Sequence, residues 1–127
     1  MITKNVVRDV LYGCWCKGKR IGGASVPPFA LLMVATVLKN SGNEVVFIDA
    51  QAEGIPLEQL KDKIVTQDIV IISTATMSFN EDAQTLARIK QLNPSIKTII
   101  FGSHPTYMPV HCLQKPAVDI LIRSEPE

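Results

Sequence analysis

Two short apolar runs constrain the fold of this chain more than any other feature of its sequence. Ile69–Ser73 (IVIIS) and Lys97–Phe101 (KTIIF) carry aliphatic side chains at consecutive positions. A strand with one solvated face alternates apolar and polar residues, whereas a strand covered on both faces reads as a continuous apolar run. These runs therefore predict central strands of a parallel sheet that has helices on both sides.

Helical patterns occur between the strand-like segments. Pro28 suits the first turn of a helix, apolar residues follow it at helical spacing, and Gly42 is a typical left-handed cap at its end. Ser78-x-x-Glu81 has the capping-box pattern, which predicts that another helix begins there. Short helices are also predicted around Leu57–Ile64 and at Pro109–Leu113.

The complete order predicts an α/β fold, read as βαβαβαβαβ. Further strands are expected at Val6–Tyr12, Glu44–Asp49 and Val118–Ile122, and GSHPT is expected as a loop after Phe101. Right-handed crossovers then give a doubly wound, flavodoxin-like (Rossmann-like) five-stranded parallel sheet in the order 2-1-3-4-5. The expected arrangement has three layers, αβα, with the sheet between two layers of helices. No shift in composition marks a boundary, so residues 1–127 are expected to form a single domain.

Charge and composition exclude several classes of function. The formal net charge is +1, so electrostatics do not indicate a nucleic-acid or lipid surface. No apolar run approaches the roughly 20 residues that span a bilayer. The N-terminus carries charges where a signal peptide is apolar, and three cysteines fit a reducing compartment better than a disulfide framework. A cytoplasmic location is expected.

Small polar residues follow several of the predicted strands. Ser73, Thr74, Thr76 and Ser78 form a hydroxyl-rich loop after the third strand, and Gly102–Thr106 follows the fourth. Ligands of open α/β sheets bind outside the carboxyl ends of the strands, where these loops meet. Hydroxyls both donate and accept hydrogen bonds, so the pattern predicts a site for a large, mostly neutral ligand, although each loop alone is equally typical of turns and caps.

The familiar catalytic and metal-binding patterns are missing. The chain has no G-x-G-x-x-G after its first strand, no G-x-x-x-x-G-K-[ST], and no Asp after its third strand for a phosphoreceiver. His104 has no second His or carboxylate at a metal-like spacing, His111 is expected to be exposed, and Cys14-x-Cys16 lacks the C-x-x-C spacing. We therefore assign no catalytic and no metal-ligating residue.

An ordered series of segments resembles a known family. P-P-x-x-L-L at Pro27–Leu32 is followed by V-F-I-D-A at Val46–Ala50 and D-I-V-I-I-S-T-A-T-M-S-F at Asp68–Phe79, then by G-S-H-P-T-x-x-P at Gly102–Pro109 and V-D-x-L-I-R-S-E-P-E at Val118–Glu127. In this order the chain resembles the N-terminal cobalamin (B12)-binding domain of radical S-adenosylmethionine enzymes. The subgroup it is most similar to includes the anaerobic magnesium-protoporphyrin IX monomethyl ester cyclases and the class B methyltransferases.

The resemblance implies a noncatalytic domain that binds cobalamin, with the nucleotide tail of the cofactor in the loops after the third and fourth strands. The iron–sulfur cluster and S-adenosylmethionine are expected in a C-terminal radical domain that would follow Glu127, which makes this chain a fragment of an oxidative cyclase or a methyltransferase. The D-x-H-x-x-G signature of methionine-synthase-like domains is absent. The resemblance implies these cofactor-binding residues: Ser73, Thr74, Thr76, Gly102, Ser103, His104, Thr106, Ser124 and Glu125.

Two departures from the family pattern keep other functions open. Phe101 stands where the family has the first glycine of its fourth-strand loop, and the closing G-E-G-E reads Ser124-Glu125-Pro126-Glu127. Bulkier atoms at these positions favour an alternative, a flavodoxin-like interaction or regulatory module that has lost the cofactor. A flavin-binding domain is a third possibility, although the Gly13–Pro27 loop has no evident phosphate cradle.

Overall fold

The computed structural model describes residues 6–8, 15–17 and 27–126 of the chain. Its elements, in chain order, are β1 (Val6–Arg8), β2 (Trp15–Lys17), α1 (Phe29–Asn40), α2 (Ala50–Glu53), a 3-10 turn (Leu57–Leu60), α3 (Lys61–Ile64), β3 (Ile69–Ser73), α4 (Phe79–Leu92), β4 (Lys97–Phe101), α5 (Ser103–Tyr107), α6 (Pro109–Leu113) and β5 (Ile120–Leu121).

A parallel sheet in the order β3-β4-β5 is the centre of the fold. β3 and β4 are in register over their whole length, from Ile69 opposite Lys97 to Ser73 opposite Phe101. β5 pairs with β4 through Ile120 and Leu121 and is therefore shorter than the predicted Val118–Ile122. The α/β class and the bounds of both diagnostic strands are confirmed.

Helices cover both faces of this sheet. Side chains alternate between the faces along each strand, so neighbouring residues of one strand pack against different helices. Ile72 and Ile100 belong to the larger core cluster, which includes Leu86 and Ile89 of α4. Phe101, on the opposite face, packs with Leu31 and Val34 of α1. The continuous apolar runs are therefore explained by burial on two sides, as the sequence predicted.

The first predicted strand differs from expectation. Val6–Arg8 pairs antiparallel with Trp15–Lys17 in a separate two-stranded sheet, not with β3. Only residues 9–14 separate the two strands, and a parallel crossover needs a dozen or more residues, so this spacing allows antiparallel pairing alone. Residues 9–12 of the predicted strand, and most of the Gly13–Pro27 loop, lie outside the described residues.

The second predicted strand, Glu44–Asp49, is not a strand in the structure. Val46 and Phe47 are exposed, and only Ile48 packs against the larger core cluster. Asp49 caps α2 instead, since its Oδ1 accepts a hydrogen bond of 3.2 Å from the Ala52 amide. The five-stranded sheet and its order 2-1-3-4-5 are thus not confirmed: three parallel strands are described.

The long helices begin and end where the sequence predicted, but the start of α4 is not stabilised by the predicted capping box. α1 ends at Asn40, and Gly42 takes a left-handed φ of 86°. α4 begins after Ser78, but no capping box forms, because the Ser78 hydroxyl accepts a hydrogen bond of 3.1 Å from the Ala75 amide outside the helix. Among the described residues, no helix has the length and apolar character needed to cross a membrane.

Candidate functional site

Three segments meet at the carboxyl ends of the parallel strands, and we call this region the carboxyl edge. They are residues 74–78 after β3, residues 102–108 after β4, and residues 122–126 after β5. The predicted GSHPT loop is wrong, because residues 103–107 form the short helix α5. Eight of the nine predicted cofactor-binding residues lie in these segments, and the ninth, Ser73, ends β3 immediately before the first segment.

Beneath the first segment is a buried group of hydroxyls around a carboxylate. The Thr74 hydroxyl donates a hydrogen bond of 2.6 Å to Asp82 Oδ2, and Thr74 Oγ1 lies 3.4 Å from Ser78 Oγ. Ser78 in turn holds the loop through the Ala75 amide. Thr74, Ser78 and Asp82 are each 2% exposed or less, so their side chains fix the loop from inside.

Burial changes the acidity of that carboxylate. Loss of hydration, with a smaller contribution from the charge of Glu81, outweighs the hydrogen bonds from the hydroxyls of Thr74 and Ser78 and raises the pKa of Asp82 from 3.8 to about 6. The loop that carries the predicted ligand hydroxyls is therefore anchored on a group that ionises close to neutral pH.

Gly102 brings the first two segments into direct contact. Its φ is 118°, a conformation that side chains disfavour, and a Cβ at this position would lie 2.3 Å from the Thr74 carbonyl oxygen. Only glycine fits, so the family-like glycine here is required by loop-to-loop packing. Phe101, immediately before it, turns its ring into the α1 face of the core and is 2% exposed.

Thr106 links the second segment to the third. Its hydroxyl donates a hydrogen bond of 2.8 Å to the Gly102 carbonyl and accepts one of 2.9 Å from the Ser124 amide. Arg123 Nε adds a bond of 3.3 Å to the Thr106 carbonyl. Ser124 has a positive φ of 62°, a backbone conformation that glycine adopts more readily than serine. This conformation accounts for the glycine that the resembled family pattern has at this position.

His104 occupies the middle of the carboxyl edge and is buried. Its Nδ1 lies 3.3 Å from Thr76 Oγ1, and its Nε2 lies 3.0 Å from Nδ1 of His111. The ring also stacks on Phe79, with centroids 4.4 Å apart. Burial lowers the pKa of His104, and the charge of His111 lowers it further. The expectation that His111 is exposed is wrong: it is half-buried and paired with His104.

The predicted residues divide into a solvent-facing set and a supporting set. Thr76, Ser103, Ser124 and Glu125 are exposed, and Ser73 and Thr106 are partly exposed. Thr74 and His104 are buried beneath them. The arrangement offers mainly neutral donors and acceptors to a ligand. In the described part of the chain, no group of three or more His, Cys, Asp or Glu side chains could hold a metal ion.

Sequence reasoning missed Asp82 and His111. Asp82 could have been recognised from the sequence, because it lies four positions before Leu86 on the apolar stripe of α4. A carboxylate at such a position needs a buried partner. The role of His111 could not have been recognised in this way. Its contact with His104 depends on the angle between α5 and α6, which spacing along the chain does not reveal.

Comparison with solved structures supports the architecture. The N-terminal domain of a hypothetical protein from Thermotoga maritima is similar with a TM-score of 0.56 and 18% identity, and the similarity covers 76% of this chain and 74% of that one. At this identity the likeness concerns the fold alone.

Two curated relatives share sequence with most of the chain. An anaerobic magnesium-protoporphyrin IX monomethyl ester cyclase from Rubrivivax gelatinosus is 33% identical over 84% of this chain and 20% of its own length. One from Cereibacter sphaeroides is 26% identical over 87% of this chain and 18% of its own. The chain thus spans about a fifth of the relatives it matches.

A protein-family comparison covers the whole parallel sheet and its carboxyl edge. The B12 binding domain matches residues 22–127, which include Thr76, Gly102, His104 and Ser124. This match confirms the resemblance seen in the ordered segments of the sequence. The chain belongs to the B12-binding domain family.

Proposed function

We propose that this chain is a noncatalytic cobalamin-binding domain of a larger B12-dependent radical S-adenosylmethionine enzyme. The observation that carries the proposal is the family match over residues 22–127, together with the polar residues gathered at the carboxyl edge of the matched sheet. The domain would bind and orient the cofactor, and cobalamin, once bound, would supply methyl transfer or assist ring formation.

The side chains at the edge fit the chemistry of this cofactor. Cobalamin presents amide groups and a phosphodiester, which need neutral donors and acceptors more than charged partners. Thr76, Ser103 and Ser124 expose hydroxyls, and Glu125 exposes a carboxylate that can accept from an amide N–H. Phe101 does not obstruct the edge, because its ring is buried against α1. Thr74 would act through the position of its loop.

The identity of the whole enzyme is a further part of the proposal. Both curated relatives carry the name anaerobic magnesium-protoporphyrin IX monomethyl ester cyclase, which favours a cyclase, with a methyltransferase as the other member of the subgroup. Because those relatives are about five times longer than the matched region, we place the iron–sulfur cluster and S-adenosylmethionine in a radical domain of the same polypeptide. A cytoplasmic location fits the free thiol of Cys112.

We also propose that the complete domain has the five-stranded order 2-1-3-4-5. The similarity to the Thermotoga maritima domain supports a doubly wound fold, and the contact of Ile48 with the core keeps residues 44–49 beside the sheet.

Retention of a corrinoid tests the proposal directly. The purified chain is mixed with hydroxocobalamin and desalted, and the visible spectrum is recorded. Retained corrinoid absorbance at a near-equimolar ratio is expected. A clean baseline at high protein concentration would refute binding by this chain and would leave the cofactor-free interaction module as the better interpretation.

A pair of substitutions locates the bound ligand. Thr76→Trp should reduce corrinoid retention, because a large ring at this exposed position would fill the carboxyl edge. Thr66→Trp is the matched control, since Thr66 is exposed and precedes β3, at the opposite end of the sheet. Equal retention in both variants would show that the ligand does not lie over residues 74–78.

A further inference from the structure

Thr76, His104 and His111 form a continuous line of hydrogen bonds at the carboxyl edge. Nδ1 of His104 lies 3.3 Å from Thr76 Oγ1, and Nε2 of the same ring lies 3.0 Å from His111 Nδ1. Phe79 stacks on His104 at 4.4 Å and also contacts His111, so both rings are held in place. Thr76, at the outer end of the line, is exposed.

Elementary proton counting allows two arrangements when both rings are neutral. An N–H···N bond needs one protonated and one bare nitrogen. In the outward arrangement, His111 Nδ1–H donates to His104 Nε2, His104 Nδ1–H donates to Thr76, and the Thr76 hydroxyl proton is free to bind a ligand. In the inward arrangement every bond is reversed, and Thr76 offers a ligand only lone pairs.

One proton added to the pair of histidines fixes the direction of the hydrogen bond between His104 and Thr76. If it resides on His111, Nδ1 of that ring must donate to His104 Nε2, and the remaining His104 proton is then on Nδ1. If it resides on His104, both nitrogens of that ring carry protons. In either case His104 Nδ1–H donates to Thr76, so protonation of the pair fixes the Thr76 hydroxyl proton in the position where it is free to bind a ligand.

We propose that Thr76, His104 and His111 form a proton relay that sets whether the Thr76 hydroxyl donates to a ligand at the carboxyl edge, with His111 as a positioning residue. The ligand group is a hydrogen-bond acceptor, an amide or phosphodiester oxygen of the bound corrinoid. This inference rests on the proposed function. It gives His104 a role through hydrogen bonding, whereas coordination of cobalt would leave its link to Thr76 unused.

The described surroundings of His104 leave His111 as its ionisable hydrogen-bond partner. Among the described residues, the polar groups bonded to His104 are Thr76 from the first segment and His111 from α6, and α4 contributes the ring of Phe79. Burial and the charge of His111 disfavour a proton on His104. Asp82, also on α4, bonds to Thr74 and titrates separately, so it needs its own control.

The first test reads the relay without a ligand. Nitrogen NMR of ¹⁵N-histidine-labelled protein is followed from pH 5 to 8, the range in which histidine titrates. We expect His104 and His111 to titrate together and His104 Nδ1 to be protonated at the acidic end. In His111→Phe the midpoint should move to lower pH, because the proton must then enter the buried ring. Independent titration of the two rings would overturn the relay.

The second test measures cyanocobalamin binding by equilibrium dialysis over the same pH range. We expect wild-type binding to weaken by about fivefold as the pair loses its proton, the equivalent of one hydrogen bond. Thr76→Ser should keep this pH dependence, and Thr76→Val should abolish it. Asp82→Asn should keep it, because that titration lies outside the relay. Persistence in Thr76→Val would overturn the inference.

The two proposals fail in different ways. If wild-type protein binds no corrinoid at any pH, the proposed function fails, and the histidine NMR alone decides the relay. Binding without pH dependence refutes the relay and leaves the proposed function intact. Dicyanocobinamide, which lacks the nucleotide tail, separates the two acceptors: dependence that persists assigns an amide oxygen, and dependence that disappears assigns the phosphodiester.

Discussion

Thr74 and Asp82 are joined by a 2.6 Å hydrogen bond that lies entirely inside the protein. The residues are eight positions apart, one at the start of the loop after β3 and the other in the first turns of α4. Both are 2% exposed. The bond ties the loop that carries Thr76 to the helix below it.

Asp82 should make the protein less stable as pH rises from about 4 to about 6. Its pKa is 3.8 in the unfolded reference and about 6 in the fold, so the folded state holds the extra proton in that window. The free energy of unfolding contributed by this group is fully present below pH 4 and is lost as pH rises through 6. The whole effect is about 3 kcal/mol.

Asp82→Asn provides the measurement, since the amide keeps an acceptor for Thr74 and cannot ionise. Urea unfolding at pH 4 and pH 7 should show the variant gaining on wild type by up to about 3 kcal/mol between the two conditions. Asp62→Asn, an exposed carboxylate on α3, should show no such change. A wild-type and variant difference that is constant with pH would contradict the prediction.

Gly102→Ala should destabilise the fold by about 2–4 kcal/mol, because it combines a disfavoured φ with a steric clash. The new Cβ would lie 2.3 Å from the Thr74 carbonyl oxygen. Gly42→Ala is the matched control, with a φ of 86° and no atom within 4 Å, and should cost only about 1 kcal/mol. Equal costs in urea unfolding would show that the two loops do not depend on close approach.

Ser124→Gly should stabilise the protein by about 0.5–1 kcal/mol. Ser124 has a φ of 62°, which glycine adopts without strain, and the gain is reduced by the greater freedom of glycine in the unfolded chain. The bond to Thr106 uses the Ser124 amide and is therefore kept. Thermal unfolding checks the prediction, and a lower midpoint in the variant would mean that the Ser124 hydroxyl makes a compensating contact.

Asp119 should stabilise the packing of β5 against β4 at all but strongly acidic pH. Its Oδ2 accepts bonds from Lys90 at 2.6 Å and from the Thr98 amide at 2.8 Å, and these partners lower its pKa to about 2. The folded state binds the proton less readily than the unfolded state, so this stability is present above pH 4 and is lost as pH falls towards 2.

Asp119→Asn should lower the free energy of unfolding by about 1–3 kcal/mol at pH 7, since charge-assisted bonds are lost. The deficit should shrink as pH falls from 4 towards 2, because Asp119 then binds a proton in the unfolded chain more readily than in the fold. Asp68→Asn, an exposed carboxylate just before β3, serves as the control. If the deficit of Asp119→Asn stays constant down to pH 2, Asp119 does not titrate as described.

Much of the fold was predictable because it depends on local patterns. Ile69–Ser73 and Lys97–Phe101 are strands with the predicted bounds, since runs of adjacent apolar residues are typical of strands that are covered on both faces. Leu57, Leu60 and Ile64 are buried on one side of their short helical segment, as their spacing indicated. No strand is formed at the predicted Glu44–Asp49 in the structure, because a strand also requires a partner that local sequence cannot guarantee.

The sequence by itself determined the α/β class, the position of the carboxyl edge and the family, because periodicity and ordered segments are properties of the chain. Only the tertiary structure decided which polar residues face a ligand. Thr74 and Thr76 are near neighbours in sequence, yet one is buried on Asp82 and the other is exposed beside His104. Hydrogen-bond direction and burial arise from contacts between distant elements, so a hydroxyl-rich loop alone could not separate its anchor from its candidate binding surface.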